Sequence, residues 1–245
     1  MKNEWFKDWF ASEDYLKVYN HRDSKDAQNL SNLIIKTINP QPKDFILDAA
    51  CGAGRHGLYF AHKGYNVVGF DLSRTLLHKA REDAKSMGII PNLVQADIRR
   101  VYFKQKFFAV LNLFTSFGYF ETDEENFLFV EHSTKFLERN GFYILDYFNK
   151  NYLEQNLIPQ SKRIVENTSI VENRKIENGR VIKKIQLAKE NESSEFYESV
   201  RLYDRKFIVE QFSRYGFKVF SIYGDYNGSG FDEKKSPRLI IIFQI

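Results

Sequence analysis

The sequence predicts an α/β protein, with a mostly parallel sheet covered by helices on both faces and interrupted once by a small antiparallel β insertion. The first observation is that apolar runs of strand length alternate with segments of helical period between residues 44 and 148. The second is that the hydrophobic period drops to two between residues 162 and 203, after which the α/β pattern resumes. The third is size, because 245 residues with 43% apolar side chains form one sizeable core.

Each element of the α/β pattern has a local reason. Two helical segments come first, an aromatic one around Trp5 and an amphipathic one from about Ser24. Strands and helices are then expected at 44–49, 55–63, 66–71, 73–88, 92–97, 107–114, 122–140 and 142–147. Ser73 caps one of these helices, and a Thr-x-x-Glu capping box opens the helix at 122, which is expected to end at Asn140-Gly141.

The segment that breaks the alternation is expected to be a set of antiparallel strands. Asn178-Gly179 lies between two alternating runs, where a two-residue type I′ turn needs positive φ at both positions. A helix that Asp204 caps and strands at 218–223 and 238–244 then complete the sheet. We therefore expect one domain formed by residues 1–150 and 204–245, including the N-terminal helices, with residues 151–203 inserted into it.

Composition excludes several classes of protein. Apolar runs stay far below the roughly 20 residues that span a bilayer, so no membrane association is expected. A single cysteine, Cys51, excludes an internal disulfide and a cysteine-rich metal site, and a cytoplasmic location is expected. The five histidines form no i, i+4 pair, so no metal is expected.

Charge is concentrated in the insertion. The net charge of the chain is +4 (36 − 32), and residues 160–190 alone carry eight Lys and Arg against four Glu. One interpretation is that these side chains are the solvated faces of a hairpin, where they suppress edge pairing. The other is a patch for an anionic substrate.

The chemistry concentrates in residues 48–57, D-A-A-C-G-A-G-R-H-G. Gly52 and Gly54 allow backbone amides to approach a ligand at the start of a helix, and Asp71 ends the next strand. The spacing also fits a dinucleotide fingerprint. However, Asp48 would repel a pyrophosphate and attract an ammonium group, which favours S-adenosylmethionine over NAD.

Three segments, L-D-A-A-C-G-A-G-R-H, V-G-F-D-L-S and Q-A-D-I, resemble the first motifs of class I S-adenosylmethionine-dependent methyltransferases. Three more, N-L-F-T-S-F-G-Y-F, G-D-Y-N-G-S and S-P-R-L-I, resemble a bacterial small-molecule subgroup with a β-stranded lid. The resemblance implies a Rossmann-like sheet of seven strands, six parallel and the last antiparallel, with the 151–203 insertion as lid. It also implies S-adenosyl-L-methionine as cofactor and S-adenosyl-L-homocysteine as product.

The resemblance further implies roles for single residues. The amino acid end of the cofactor would meet Asp48 and the 52–54 backbone, the ribose Asp71, and the adenine Asp97, while the segment after the fourth strand would pass under the methionine. The expected cofactor residues are Asp48, Ala50, Gly52, Gly54, Arg55, Asp71, Leu72, Asp97, Ile98, Asn112, Leu113 and Phe114.

The acceptor should lie beyond the fourth and fifth strands, under the lid. Tyr119 and His21 are expected to make the catalytic contacts, and the expected substrate residues are Arg22, Ser116, Asn149, Tyr226 and Arg238. Neither an N-P-P-Y tetrad nor a P-C nucleophile is present, which argues against nucleic acid and for a small-molecule nitrogen or oxygen nucleophile methylated by in-line displacement. The expected assembly is a monomer or homodimer. Two alternatives stay open, an NAD(P)-binding oxidoreductase and a catalytically silent cofactor-binding partner protein.

Overall fold

A computed structural model describes residues 4–19, 24–189 and 192–245. The helices are α1 (Trp5–Ala11), α2 (Glu13–Tyr19), α3 (Ser24–Ile38), α4 (Arg55–His62), α5 (Arg74–Ser86), α6 (Asp123–Ser133), α7 (Lys150–Asn156) and α8 (Arg205–Arg214). The strands are β1 (Phe45–Ala49), β2 (Asn66–Asp71), β3 (Asn92–Gln95), β4 (Phe107–Asn112), β5 (Leu137–Phe148), β6 (Gln160–Val165), β7 (Thr168–Glu177), β8 (Arg180–Lys189), β9 (Glu192–Arg201), β10 (Lys218–Tyr223) and β11 (Arg238–Gln244). Within these described ranges, no helix is long and apolar enough to cross a membrane.

The main sheet confirms the predicted fold class. Its strand order is β10-β11-β5-β4-β1-β2-β3, and β11 pairs antiparallel with both β5 and β10 while the β5-β4-β1-β2-β3 pairs are parallel. The chain order reverses between β1 and β4, so their carboxyl ends border the crevice in which open α/β sheets bind ligands.

Both faces of the sheet are buried, because neighbouring residues of each strand point in opposite directions. On one face Ile46 packs with Leu30 and Ile34 of α3. On the other, Leu47 belongs to an aromatic-rich cluster that includes Phe127 of α6 and Phe212 of α8. This two-sided burial explains the continuous apolar strands of the sequence.

The insertion forms a second, antiparallel sheet in the order β6-β7-β8-β9. Asn178 and Gly179 have φ of 51° and 68°, which confirms the predicted type I′ turn between β7 and β8. Ile170 and Ile185 pack on Trp9 of α1, so one face of this sheet contacts the N-terminal helix.

The predicted end of the helix at Asn140-Gly141 is wrong. Helix α6 ends at Ser133, and Asn140-Gly141 lies inside β5, where Asn140 has φ of 62°. Asn140 donates its N–H to the Ile245 carbonyl, and Gly141 accepts from the Ile245 N–H. The pair therefore forms an irregularity in the strand rather than a helix cap. Helices α2 and α7 were not predicted, and β3 and β4 end two residues earlier than expected.

Candidate cofactor and acceptor site

The loop after β1 wraps closely around a carboxylate. Asp48 lies in the buried part of β1, and its Oδ2 accepts the Gly57 N–H at 2.9 Å. A Cβ on Gly57 would lie 2.8 Å from that oxygen, so glycine is needed for α4 to pass this near. Gly52 and Gly54 have φ of 56° and 78°, which lets the loop turn from the strand into the helix.

Asp48 is held in an unfavourable electrostatic environment. It is only 2% exposed. Burial raises its pKa to about 7, and the negative charge of Asp71 adds to this, although the Gly57 hydrogen bond and Arg55 act in the opposite direction. A cationic ligand group beside Asp48 would relieve this cost.

Asp71 is fixed at the end of β2 by backbone donors. Its two carboxylate oxygens accept the N–H groups of Gly52 and Ser73, both at 2.8 Å. Burial raises its pKa despite these bonds. A carboxylate has about four acceptor positions, so two hydrogen bonds leave capacity for ribose hydroxyls.

A cavity of about 450 Å³ opens between this loop and helices α1 and α2. Its lining includes seven of the predicted cofactor residues, Asp48, Ala50, Gly52, Arg55, Asp71, Leu113 and Phe114. His56, in the first turn of α4, also lines it, and burial lowers the His56 pKa to about 3, so the ring is neutral. Gly54 lies behind the lining and packs against Leu58 and Ala80 instead.

Two buried polar atoms support the fit to a cofactor. His56 Nε2 and Asn112 Oδ1 have no hydrogen-bond partner among the described residues. Buried polar atoms are normally paired, and both residues line the cleft, so a ligand with donors of its own would satisfy them. The two carboxylates and these two atoms fit the ammonium, ribose and adenine of S-adenosylmethionine.

The predicted adenine side is a narrow apolar chamber of about 60 Å³ next to the first cavity. Leu72, Ile98 and Asn112 line it, as does Asp97. The Asp97 carboxylate is engaged by Arg99, whose Nη2 lies 2.7 Å from Oδ2. Burial acts to raise the pKa of Asp97, but the Arg99 hydrogen bonds outweigh it and lower the value. Asp97 would therefore meet an adenine amino group as an anion.

A buried ion pair that the sequence analysis missed shapes the loop after β4. Asp146, fully buried in β5, accepts from Arg238 Nε at 2.9 Å and from the Phe114 N–H at 2.9 Å. Phe114 and Thr115 have positive φ of 57° and 63°, which side chains rarely adopt. The ion pair therefore holds a strained loop against the cleft. The one available signal was a charged residue inside the apolar run of β5.

A third cavity, of about 270 Å³, lies between the 114–119 loop and the inserted sheet. Tyr119 and Phe10 line this cavity and both cofactor cavities, so the three share a common wall. Arg238 lines it as predicted, and Ser116 lines the two cofactor cavities. Helix α1 supplies Trp5, to which the sequence analysis gave no role at the site.

The structure places two predicted substrate residues elsewhere. The Asn149 amide donates to the carbonyls of residues 232, 233 and 236, so it fixes the loop between β10 and β11. Tyr226 donates to Asp146 Oδ2 at 3.1 Å and supports the ion pair from outside the cavity. Both are occupied by contacts between distant segments that the sequence could not reveal. His21 and Arg22 lie outside the described residues.

The inserted sheet is hydrogen-bonded to the segment after β4 that carries Tyr119. Arg180, at the start of β8, donates to the carbonyls of Gly118, Tyr119 and Phe120 at 3.1 to 3.2 Å, and to the Ser199 side chain. Gly118 has φ of 90°, and a Cβ there would lie 3.1 Å from the Arg201 carbonyl. The insertion thus directly positions the segment that carries Tyr119.

Fold and site together define the class I methyltransferase fold. Residues 46–141 match the methyltransferase domain family. This segment of the chain is therefore similar to methyltransferase domains, and the methyl donor of class I methyltransferases is S-adenosylmethionine.

Individual proteins are similar over part or all of the chain. The glycine/sarcosine N-methyltransferase of Aphanothece halophytica is 29% identical over 150 residues, which are 60% of this chain and 55% of that protein. The dTDP-3-amino-3,4,6-trideoxy-alpha-D-glucopyranose N,N-dimethyltransferase of Streptomyces venezuelae is 30% identical over 49% of this chain and 48% of its own length. The chain thus spans about half the length of these two relatives.

A solved structure extends the likeness to the whole fold. An S-adenosylmethionine-dependent methyltransferase from Clostridium acetobutylicum superposes with a TM-score of 0.82 at 18% identity, over 95% of this chain and 96% of that one. At this identity the likeness establishes the fold alone.

Proposed function

We propose that this protein transfers a methyl group from S-adenosylmethionine to a nitrogen or oxygen nucleophile of a small molecule. The observation that carries the proposal is the juxtaposition of two buried carboxylates, Asp48 and Asp71, with a separate cavity across Tyr119. One cavity suits the donor and the other an acceptor. The names of both relatives specify N-methylation, which favours nitrogen.

The residues act by binding, orienting and excluding water. When bound, S-adenosylmethionine supplies an electrophilic sulfonium methyl, whose C–S bond breaks as the bond to the acceptor forms, leaving a neutral thioether. Asp48 holds the ammonium end, and Asp71 holds the ribose. The aromatic walls around Tyr119 exclude water and align the acceptor, and such positioning alone is worth up to roughly 7 to 11 kcal/mol. An amine that arrives uncharged needs no base until after transfer, when its proton passes to solvent.

Within this proposal, residues 151–203 form a lid over the acceptor cavity, and residues 1–150 with 204–245 form the catalytic domain. The support is that β7, β8 and β9 supply Arg174, Lys183 and Glu198 to the acceptor cavity. The cofactor cavities receive almost nothing from the insertion. The lid should therefore set acceptor specificity and leave cofactor affinity largely unchanged.

Calorimetric titration with S-adenosylhomocysteine and, in parallel, with NADH tests the cofactor assignment. We expect saturable binding of the first ligand only. A mass-spectrometric screen of metabolite pools with S-adenosylmethionine then tests activity, through products heavier by one methyl group. Binding of NADH alone would refute the proposal, and cofactor binding without any methylated product would favour the silent partner protein.

A further inference from the structure

Some of the Lys and Arg side chains that give the insertion its net positive charge are partly buried. Three of its cations surround the carboxylate of Glu172, which is nearly buried: Arg163 Nη1 at 2.5 Å, Arg174 Nη2 at 2.9 Å and Lys183 Nζ at 3.6 Å. Burial acts to raise the pKa of Glu172, but these three charges outweigh it and lower the value to about 2. Glu172 is therefore an anion at any physiological pH.

One more carboxylate joins this cluster, and the cations still exceed the anions. Lys183 Nζ lies 2.7 Å from Glu198 Oε2, and Glu198 also accepts from Trp9 Nε1 at 2.7 Å and from the Tyr19 hydroxyl. Three partly buried cations thus share two carboxylates. A partly buried positive charge without a full counter-charge is costly unless a ligand supplies it.

The lining of the acceptor cavity has a larger excess of positive charge than the cluster around Glu172 has. Arg174, Lys183 and Arg238 line the acceptor cavity, and Glu198 is the acidic residue of the described lining. The carboxylates that compensate Arg174 and Arg238 are Glu172 and Asp146, and neither lines the cavity. The surface that a ligand meets is therefore cationic, although each cation is fixed from behind.

Arg174 has the geometry to bind a further acceptor atom. It donates from Nη1 to Ser161 Oγ at 3.0 Å, and its Nη2 faces Glu172. A guanidinium carries five N–H donors in a planar fork, so these contacts fix its orientation and leave donors for a ligand. The rest of the described lining is largely aromatic and aliphatic and includes Trp5, Tyr15 and Phe148.

We propose that the methyl acceptor carries an anionic group, a carboxylate or a phosphate, which binds Arg174 on the lid while an apolar body contacts the aromatic wall. This inference rests on the proposed function and adds the substrate class. It also assigns a use to the basic insertion, which methyl transfer by itself does not need. The volume of about 270 Å³ suits a compact molecule.

The test uses phenyl phosphate, benzoate and neutral benzamide, which share a ring and differ in charge. Binding is followed by tryptophan fluorescence with and without S-adenosylhomocysteine. Both tryptophans of the chain lie in α1, and Trp5 lines the cavity and packs on Tyr119 at 5.2 Å between ring centroids. We expect at least one anionic probe to bind ten or more times tighter than benzamide, and the tighter anion identifies the group. Equal affinity for all three overturns the proposal.

Variants locate the anion site. In Arg174→Gln the preference for the anion should fall at least tenfold. Lys184→Gln is the matched control, because Lys184 lies on the same sheet but pairs with Glu195 outside the cavity, and it should keep the preference. An unchanged preference in Arg174→Gln overturns the assignment of Arg174. The wild-type ranking needs no variant, so it stands even if that variant misfolds. S-adenosylhomocysteine titration is read separately, so its failure refutes the proposed function and not the anion preference.

Discussion

Replacing Asp48 by Asn should stabilise the ligand-free protein and weaken cofactor binding. The amide oxygen of Asn can still accept the Gly57 N–H that Asp48 Oδ2 accepts at 2.9 Å. The substitution therefore removes a buried negative charge and leaves the local hydrogen bond and volume nearly unchanged. Its effect reports on charge alone.

The magnitude follows from the pKa. Burial raises the pKa of Asp48 from 3.8 to about 7, so the native state holds a proton that the unfolded chain releases between these values. Stability from this group is full below pH 4 and is lost as pH rises through 7. Each pH unit in this window costs about 1.4 kcal/mol, or about 4 kcal/mol in total as an upper estimate. The Asn variant escapes this loss.

Urea denaturation of both proteins without ligand, at pH 5 and pH 8, measures the effect. The advantage of Asp48→Asn should grow by about 1 to 3 kcal/mol between these pH values. Glu210→Gln removes an exposed carboxylate on α8 that pairs with Arg214, so it controls for general charge and should show no such growth. An advantage that is the same at both pH values would refute the argument that burial holds Asp48 partly protonated.

Ligand binding should change in the opposite direction. At pH 8 the variant should bind S-adenosylhomocysteine at least about tenfold more weakly, roughly 1.4 kcal/mol, because the ammonium loses its carboxylate. Methylthioadenosine has no ammonium group and should bind both proteins alike. Equal weakening for the two ligands would mean that Asp48 only supports the loop.

Three further predictions concern the neighbouring residues. Asp71→Ala should cost on the order of 2 to 4 kcal/mol of S-adenosylhomocysteine binding by calorimetry, and unchanged affinity would remove Asp71 from the ribose. Gly57→Ala should lower the free energy of unfolding, measured by urea denaturation, by about 1 to 3 kcal/mol, because its Cβ would lie 2.8 Å from Asp48 Oδ2; an unaltered free energy of unfolding would show that α4 shifts freely. Arg180→Ala should keep S-adenosylhomocysteine affinity within about threefold but raise the KM of the acceptor found by the screen, and Arg180→Lys should rescue it only in part, since a point charge cannot bridge three carbonyls.

Local chemistry made much of this fold predictable. The Asn178-Gly179 turn and the position of Asp48 before a glycine loop depend on residues adjacent in sequence, and both could be inferred. The same kind of signal failed at Asn140-Gly141. Positive φ is needed there too, but pairing with Ile245, more than 100 residues later, places it in a strand. An Asn-Gly pair indicates positive φ at that point of the backbone. Whether the pair lies in a turn, at a helix end or within a strand depends on its tertiary contacts.

The acceptor side was less predictable because its contacts join distant segments. The Arg238–Asp146 pair spans 92 residues, and the bonds of Arg180 to the 118–120 carbonyls span about 60. Arg238 was expected at the cavity from the topology of the last hairpin, which is a property of the fold. Its carboxylate partner was not, because nothing in the order of residues states which charges meet.

The cleft contains buried polar and charged groups that lower the stability of the ligand-free protein, and a ligand would remove this cost. Asp48 and Asp71 are buried with raised pKa values, and His56 Nε2 and Asn112 Oδ1 lack partners among the described residues. Each such group lowers the stability of the ligand-free fold by an amount comparable to a lost hydrogen bond or more. Because a cofactor with an ammonium group and several hydroxyls satisfies them together, its binding energy includes the relief of these costs. The same groups that make the empty cleft unstable therefore make it selective, since a ligand that lacks one of the complementary groups leaves the corresponding cost in place.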